Sequence, residues 1–456
     1  MSPVAESAPG QSSVPRPGPV PPLRIARPSQ STLANGVQVM VVPRPSVPRL
    51  ELRLSVPAGA AFGPSAAASE LLRAGILLGT KELDQEAVSE SIQRLGGSLQ
   101  VQQDQDRLHI AAAALSEAED DLYRLIATLV TAPAFPAADL ETERVKLIEG
   151  LRIARATPHF PAAEKLQALV YGHHPYGRPE PTEAALRKTT RRHLQELHRA
   201  SFRPSAALIT VVGDIEPRRT VTRLRQAFGG WSGPSRAPKI PRVRPRSLAE
   251  VTFIDRPGSV QTVVLTGTSG PPIGHPDYIP LSLASAVLGG GFSSRLMANL
   301  REDKGYTYGA HTRSEGHLRD TLWGAEIEVR TEVTAAAYVE LLYEMGRLAT
   351  VDVPSDELER TRSYLTGTRA IFLQTQSGLA SSLSQLRCHG LDHRYLERYS
   401  ELLARMTSAE IRQVAARYLA PGGLTTVMVG DASQTAEALT SLTPVRLLAG
   451  KHVKGT

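Results

Sequence analysis

The chain has 456 residues, 41% of them hydrophobic, with a formal net charge of +7 and a pI near 9.5. That length exceeds one ordinary domain and suits two of about 200 residues. No stretch approaches eighteen consecutive apolar residues, which argues against a membrane-spanning helix and for a cored, water-soluble chain. The basic residues are spread. Clusters such as Arg187 to Arg192 sit among acidic and apolar residues at helical spacing, which describes a solvated face and not a nucleic-acid groove. Cys388 is the only cysteine, so an intrachain disulfide is excluded and a reducing compartment is tolerated.

Residues 1–26 are rich in Pro, Ser and Gly and lack both a basic start and an apolar core. They read as a disordered tail and not a secretion signal, which makes the cytoplasm the expected location. The Asn35-Gly36 turn and the alternation of Val37, Val39 and Val41 predict a hairpin leading to a further strand at Leu50 to Val56. Gly96-Gly97 opens one alternating strand through LQVQQDQDRLHIAAAAL, and helices follow to about Val170. The strand AALITVVGD covers residues 206–214, and Trp231 closes a first domain over 27–232. Residues 233–247, punctuated by proline and arginine, form an extended linker.

The second domain, 248–450, repeats the first. LTTVMVGD echoes LITVVGD, with Asp431 standing where Asp214 stands in the earlier copy. An offset of nearly half the chain is too long for a solenoid and right for two copies of one domain. Within the second copy lies VLGGGFSSRLMANLREDKGYTYGA, from Val287 to Ala310. Gly289, Gly290 and Gly291 close an apolar segment, a helix then carries Arg301, and Gly305 ends it before a strand begins at Tyr306 to Tyr308. Arg301 and Tyr308 can therefore face one space as hydrogen-bond donors suited to a peptide carbonyl or carboxylate. An ordinary helix–strand corner would look much the same.

This run resembles the second domain of the pitrilysin/insulinase-type metallopeptidases (family M16), in particular the small bacterial and mitochondrial-processing-peptidase-like branch. There a glycine-rich loop precedes Ser-Arg-Leu, Leu-Arg-Glu and an aromatic turn, matched by Ser294-Arg295-Leu296, Leu300-Arg301-Glu302 and Tyr306 to Tyr308. The likeness extends from about Pro28 to about Leu448. It implies an α+β fold of two similar domains in a clam-like arrangement, each a mainly antiparallel sheet with helices packed on one face. It also implies that Arg301 and Tyr308 hold the substrate backbone opposite zinc.

Active members carry His-x-x-Glu-His on a helix just before a Gly-Thr, the histidines at i and i+4 binding zinc and the glutamate activating the metal-bound water. Anchored on Gly79-Thr80, the histidine positions hold Glu70 and Ala74 and the glutamate position holds Arg73. The third ligand is expected further along, within a Glu-Arg-x-Val-x-Leu-x-Glu pattern, and without a gap its position is taken by Gly150. Glu149 is one residue early, a helical rotation of roughly 100°. The resemblance thus implies a degenerate zinc site, with no cofactor in this chain and zinc in a partner chain.

His193 and His198 imitate the motif with one residue too many; the i, i+5 spacing puts them on different faces of a plain helix. His173-His174 reads as a loop signature and Cys388 as a buried structural thiol. No P-loop, nucleophile elbow or dinucleotide fingerprint is present. Three functions remain open: the non-zinc subunit of a heterodimeric M16-type peptidase, lending Arg301 and Tyr308 to a His-x-x-Glu-His paralogue for peptide hydrolysis; a non-catalytic binding or assembly protein of that fold; and a hydrolase using another site.

Overall fold

A computed structural model describes residues 23–234, 239–246 and 250–449. Most of the expected tail, parts of the linker and the first residues of the second domain lie outside these. Two six-stranded sheets organise the rest. The first comprises β1 (Ser29–Thr32), β2 (Gln38–Pro43), β3 (Arg49–Val56), β4 (Ser98–Gln103), β5 (Leu108–Leu115) and β6 (Leu208–Gly213), in the order β1-β2-β6-β3-β5-β4. The second comprises β7 (Val251–Asp255), β8 (Gln261–Gly270), β9 (Thr307–Gly316), β10 (Thr321–Arg330), β11 (Thr425–Gly430) and β12 (Val445–Leu448), in the order β12-β7-β11-β8-β10-β9. Pairings are antiparallel except β2–β6, β7–β11 and β7–β12.

The echoing strands β6 and β11 sit inside their sheets and are buried at every residue, which is what an unbroken apolar run demands. Because β6 inserts between β2 and β3, the Asn35-Gly36 turn joins β1 to β2, and β3 enters the sheet elsewhere. The segment read as one alternating strand after Gly97 is two. Asp104 breaks it: its Oδ1 accepts the backbone N–H groups of Asp106 and Arg107, both at 2.7 Å, and turns the chain from β4 back along β5.

Each sheet packs its own helices on one face. In the first half α1 (Ala66–Gly75) and α2 (Ala137–Ala156) join a core containing Leu50, Leu52, Leu54, Leu71 and Ile148. The opposite face of each sheet is met by a helix from the other half. Helix α3 (His159–Tyr171) lays Leu166 and Val170 against Val263, Leu265, Val427 and Val429 of the second sheet. The first half also contains α4 (Arg191–Ser201), and the second contains α5 (Tyr278–Gly289) and α6 (Ser355–Gln374). Helix α7 (Gln376–Cys388) lays Leu379 and Leu383 against Met40, Val42 and Val212 of the first sheet.

The offset between Asp214 and Asp431 recurs in these elements: the same spacing separates the starts of β6 and β11, of α3 and α7, and of α4 and α8 (Ser408–Tyr418). Duplication and exchange together lock the halves. Polar clasps reinforce the seam: Tyr171 donates across it to Asp320 at 2.9 Å, and Tyr176, within the first half, donates to Asp106 at 2.7 Å. The Leu318 N–H reaches the other Asp106 oxygen at 2.7 Å.

Candidate functional site

Helix α5 is buried along most of its length and ends at Gly289. A Cβ there would lie 2.4 Å from the Thr312 backbone nitrogen, so only glycine lets the helix end rest on β9. Phe292, just beyond, is 82% exposed. Buried Leu296, Met297 and Leu300 then pin a turn over Met297–Asp303 to the second core. This turn is wider than an α-helix, with Lys304 N–H bonding to Asn299 five residues back at 3.0 Å, a geometry frequent at functional sites. Gly305, at φ +62°, ends it.

The two arginines here differ. Arg295 is buried and bonded twice to Glu357, both at 2.8 Å, which ties the turn to α6. The Arg301 side chain is 37% exposed; its guanidinium lies 5.5 Å from the centre of the Phe292 ring, and its Nε is 3.3 Å from Glu302. A cation over an aromatic face keeps most of its N–H groups free to bond elsewhere.

Tyr308 owes its position to an irregularity in β9. Ala310 pairs with Ile327 and Thr307 with Val329, so Tyr308 and Gly309 together oppose Glu328. Regular alternation would turn Tyr308 into the core beside Ala310. The extra residue instead sends it to the outward face, where it is 91% exposed and its hydroxyl has no hydrogen-bond partner among the described residues.

In the first half, α1 begins at Ser65, whose Oγ accepts the Ala68 N–H at 3.1 Å. It does carry Glu70, Arg73 and Ala74, and Glu70 and Arg73 are bonded to each other at 2.9 Å. Ala74 has no donor atom. Gly150 lies exposed on α2 with open space where a side chain would start, and neighbouring Glu149 bonds Arg152 at 2.8 Å. Among the described residues no three His, Cys, Asp or Glu side chains are grouped to hold a metal. A zinc ion of the expected kind does not fit these four positions: two offer no ligand atom, one is a cation, and the remaining carboxylate is neutralised by that cation.

Two family models match the chain, "Insulinase (Peptidase family M16)" over residues 38–180 and "Peptidase M16 inactive domain" over 188–365. The chain belongs to peptidase family M16. An uncharacterized zinc protease of Mycobacterium tuberculosis is 24% identical over 421 residues, covering 89% of this chain and 94% of that protein. An uncharacterized zinc protease of Bacillus subtilis is 22% identical, covering 77% and 85%. Among solved structures, a peptidase M16 inactive domain from Pseudomonas fluorescens superposes with a TM-score of 0.84 at 22% identity, covering 89% of this chain and 98% of that one. A protease from Helicobacter pylori gives 0.84 at 18%, covering 89% and 100%. These likenesses carry the two-sheet fold.

Several polar groups of this M16 chain escaped the sequence reading because tertiary contacts assemble them. Glu180 is an exposed residue just after the Tyr176 turn. Partial desolvation, then repulsion from Glu70 and Glu164, pushes its pKa up to about 6. Glu315 of β9 adds a smaller repulsion. Glu326 of β10 bonds His159 at the start of α3, at 3.1 Å. No spacing in the sequence signals these encounters. Phe292 was legible as the residue after the glycines, but its stacking on Arg301 was not.

The decoys have structural employment. His193 accepts the Thr190 N–H while Thr190 accepts the His193 N–H, a capping box at the start of α4. The corresponding box at α8 uses Thr407 and Glu410, which stand at the repeat positions of Thr190 and His193. His198 instead turns inward to the Val130 carbonyl at 2.8 Å. His174 accepts the Tyr176 N–H and bonds Pro241 of the linker at 3.1 Å. Cys388 lies 3.4 Å from the Ser55 hydroxyl in a cavity of 330 Å³ under α7, and burial pushes its thiol pKa up, away from thiolate chemistry.

Proposed function

We propose that this chain is the non-zinc subunit of a heterodimeric M16 peptidase and that Arg301 and Tyr308 hold the backbone of a peptide in the site of a His-x-x-Glu-His paralogue. The observation that carries the reading is the contrast within one molecule: of the four α1-pole positions only Glu70 offers a carboxylate, and Arg73 pairs with it, while the bulge in β9 delivers an unpartnered phenol to the surface and the preceding turn leaves the Arg301 guanidinium largely free. Both are donors, and a peptide carbonyl near the scissile bond is the acceptor they suit. The partner supplies the water-activating chemistry; this chain binds and orients. No helix among the described residues is long and apolar enough to cross a membrane, and the cytoplasm is the compartment we propose.

Co-expression with a zinc-carrying relative tests this, using size-exclusion chromatography with light scattering and peptide hydrolysis. The expected result is a one-to-one complex active only when both chains are present. Separate elution, with the zinc chain alone fully active, would defeat the division of labour. A stable but inactive complex would transfer the chain to the assembly-protein reading.

A further inference from the structure

Tyr308 is turned outward by one residue too many in β9, and an extra residue in an antiparallel ladder leaves a backbone donor and acceptor unmatched. Here a single side chain answers both. The Thr307 hydroxyl oxygen accepts the Gly309 N–H at 3.1 Å and lies 2.5 Å from the Glu328 carbonyl across the ladder, to which it donates. The Gly309 carbonyl at 2.8 Å is an alternative acceptor for the same proton. Thr307 itself is buried on the core face, and its β-branched side chain has restricted rotamers, so the bridge is held from within the sheet. The Tyr308 side chain makes no hydrogen bond among the described residues, so the Thr307 clasp is the side-chain polar contact at this bulge.

We propose that Thr307 is the positioning residue for Tyr308: its hydroxyl bridges Gly309 and Glu328, locks the β9 bulge, and so presents the Tyr308 phenol at the outward face. The functional consequence rests on the reading of Tyr308 as a substrate contact; the structural consequence does not.

Thr307→Val keeps the shape and removes the hydroxyl, while Thr307→Ser keeps the hydroxyl. On the full chain, tyrosine nitration mapped by peptide mass spectrometry reads the exposure of Tyr308 directly, with the half-exposed Tyr343 as internal reference. The expected result is a several-fold slower nitration of Tyr308 in Thr307→Val, unchanged Tyr343, and near wild-type behaviour in Thr307→Ser. A crystal structure of Thr307→Val should show β9 re-registered or the bulge opened. An unchanged bulge with unchanged nitration would overturn the proposal.

In the reconstituted complex, Thr307→Val should lower peptide hydrolysis towards the level of Tyr308→Phe, and the double variant should be no worse than Tyr308→Phe alone. Additive losses would mean that Thr307 does not act through Tyr308. If Tyr308→Phe is fully active while nitration still responds to Thr307→Val, the functional reading of Tyr308 fails and the positioning role stands.

Discussion

The two halves share one plan, yet the α1 pole of the first and the start of β9 in the second differ in how their polar groups are spent. At the α1 pole the charged side chains consume one another: Glu70 with Arg73, Glu149 with Arg152. At the start of β9 the pairing is looser. Arg301 touches Glu302 through Nε alone, at 3.3 Å, and otherwise leans on the Phe292 ring, while the Tyr308 phenol stands out of the sheet without a hydrogen-bond partner among the described residues. Self-paired surface charges contribute little to stability and nothing to a ligand. Donors left largely free by a buried turn and a bulge are what a peptide backbone can use. The shared fold therefore says little about function, and the local pairing says much.

The largest expected effect concerns the frame that the halves share. Leu166 on α3 and Leu383 on α7 are counterparts, each buried against the other half's sheet. Leu166→Ala and Leu383→Ala should each destabilise the chain by about 2–5 kcal/mol in denaturant unfolding. A large loss at one and almost none at the other would show that only one exchanged helix locks the halves.

Next comes the chemistry. In the reconstituted complex Tyr308→Phe and Arg301→Ala should each lower kcat by about 10²–10³ if their bonds strengthen as charge develops on the carbonyl. If they only position substrate, KM should rise with kcat nearly unchanged. Steady-state kinetics separates these outcomes, and wild-type values in both variants would remove the contrast between the poles.

A smaller effect is expected at the seam. Burial raises the pKa of Asp320 to about 7 and that of Asp106 to about 6. A carboxyl raised in the folded state binds its proton more tightly there than when unfolded. Its contribution is therefore full below the ordinary carboxylate range and is lost as pH rises through 6 to 7. Tm should fall between pH 5 and pH 8, and Asp320→Asn should make that fall shallower. An equal slope in the variant would mean that the Tyr171 clasp does not titrate there.

The smallest effect belongs to the α1 pole. Glu70→Gln and Arg73→Met should leave hydrolysis by the complex within about twofold, since losing a partly exposed ion pair worth about 1 kcal/mol of stability leaves the chain folded. The chain alone should carry no stoichiometric zinc by elemental analysis. Glu70→His, Arg73→Glu and Ala74→His together should still fail to bind it tightly, because Gly150 supplies no third ligand. Tight binding by that triple variant would mean that another residue completes the site.

Residue order alone determined a good deal. The echo of LITVVGD in LTTVMVGD announced the duplication, Gly305 marked the end of the Arg301 turn, and the absence of donor atoms at Ala74 and Gly150 followed from their identity. Such features are local, or are repeats of local features, and backbone preference and side-chain chemistry write them directly into the chain. What tertiary structure decided was everything that depends on a partner distant in sequence. Alternation assigned LQVQQDQDRLHIAAAAL to one strand, but Asp104 folds it in two. Periodicity could not show α3 and α7 changing places, because an apolar helix face does not specify which sheet it will cover. Nor could it show Tyr308 on the outward face, since the side chain's direction depends on one unmatched residue in a pairing with β10, and register exists only once two strands have met.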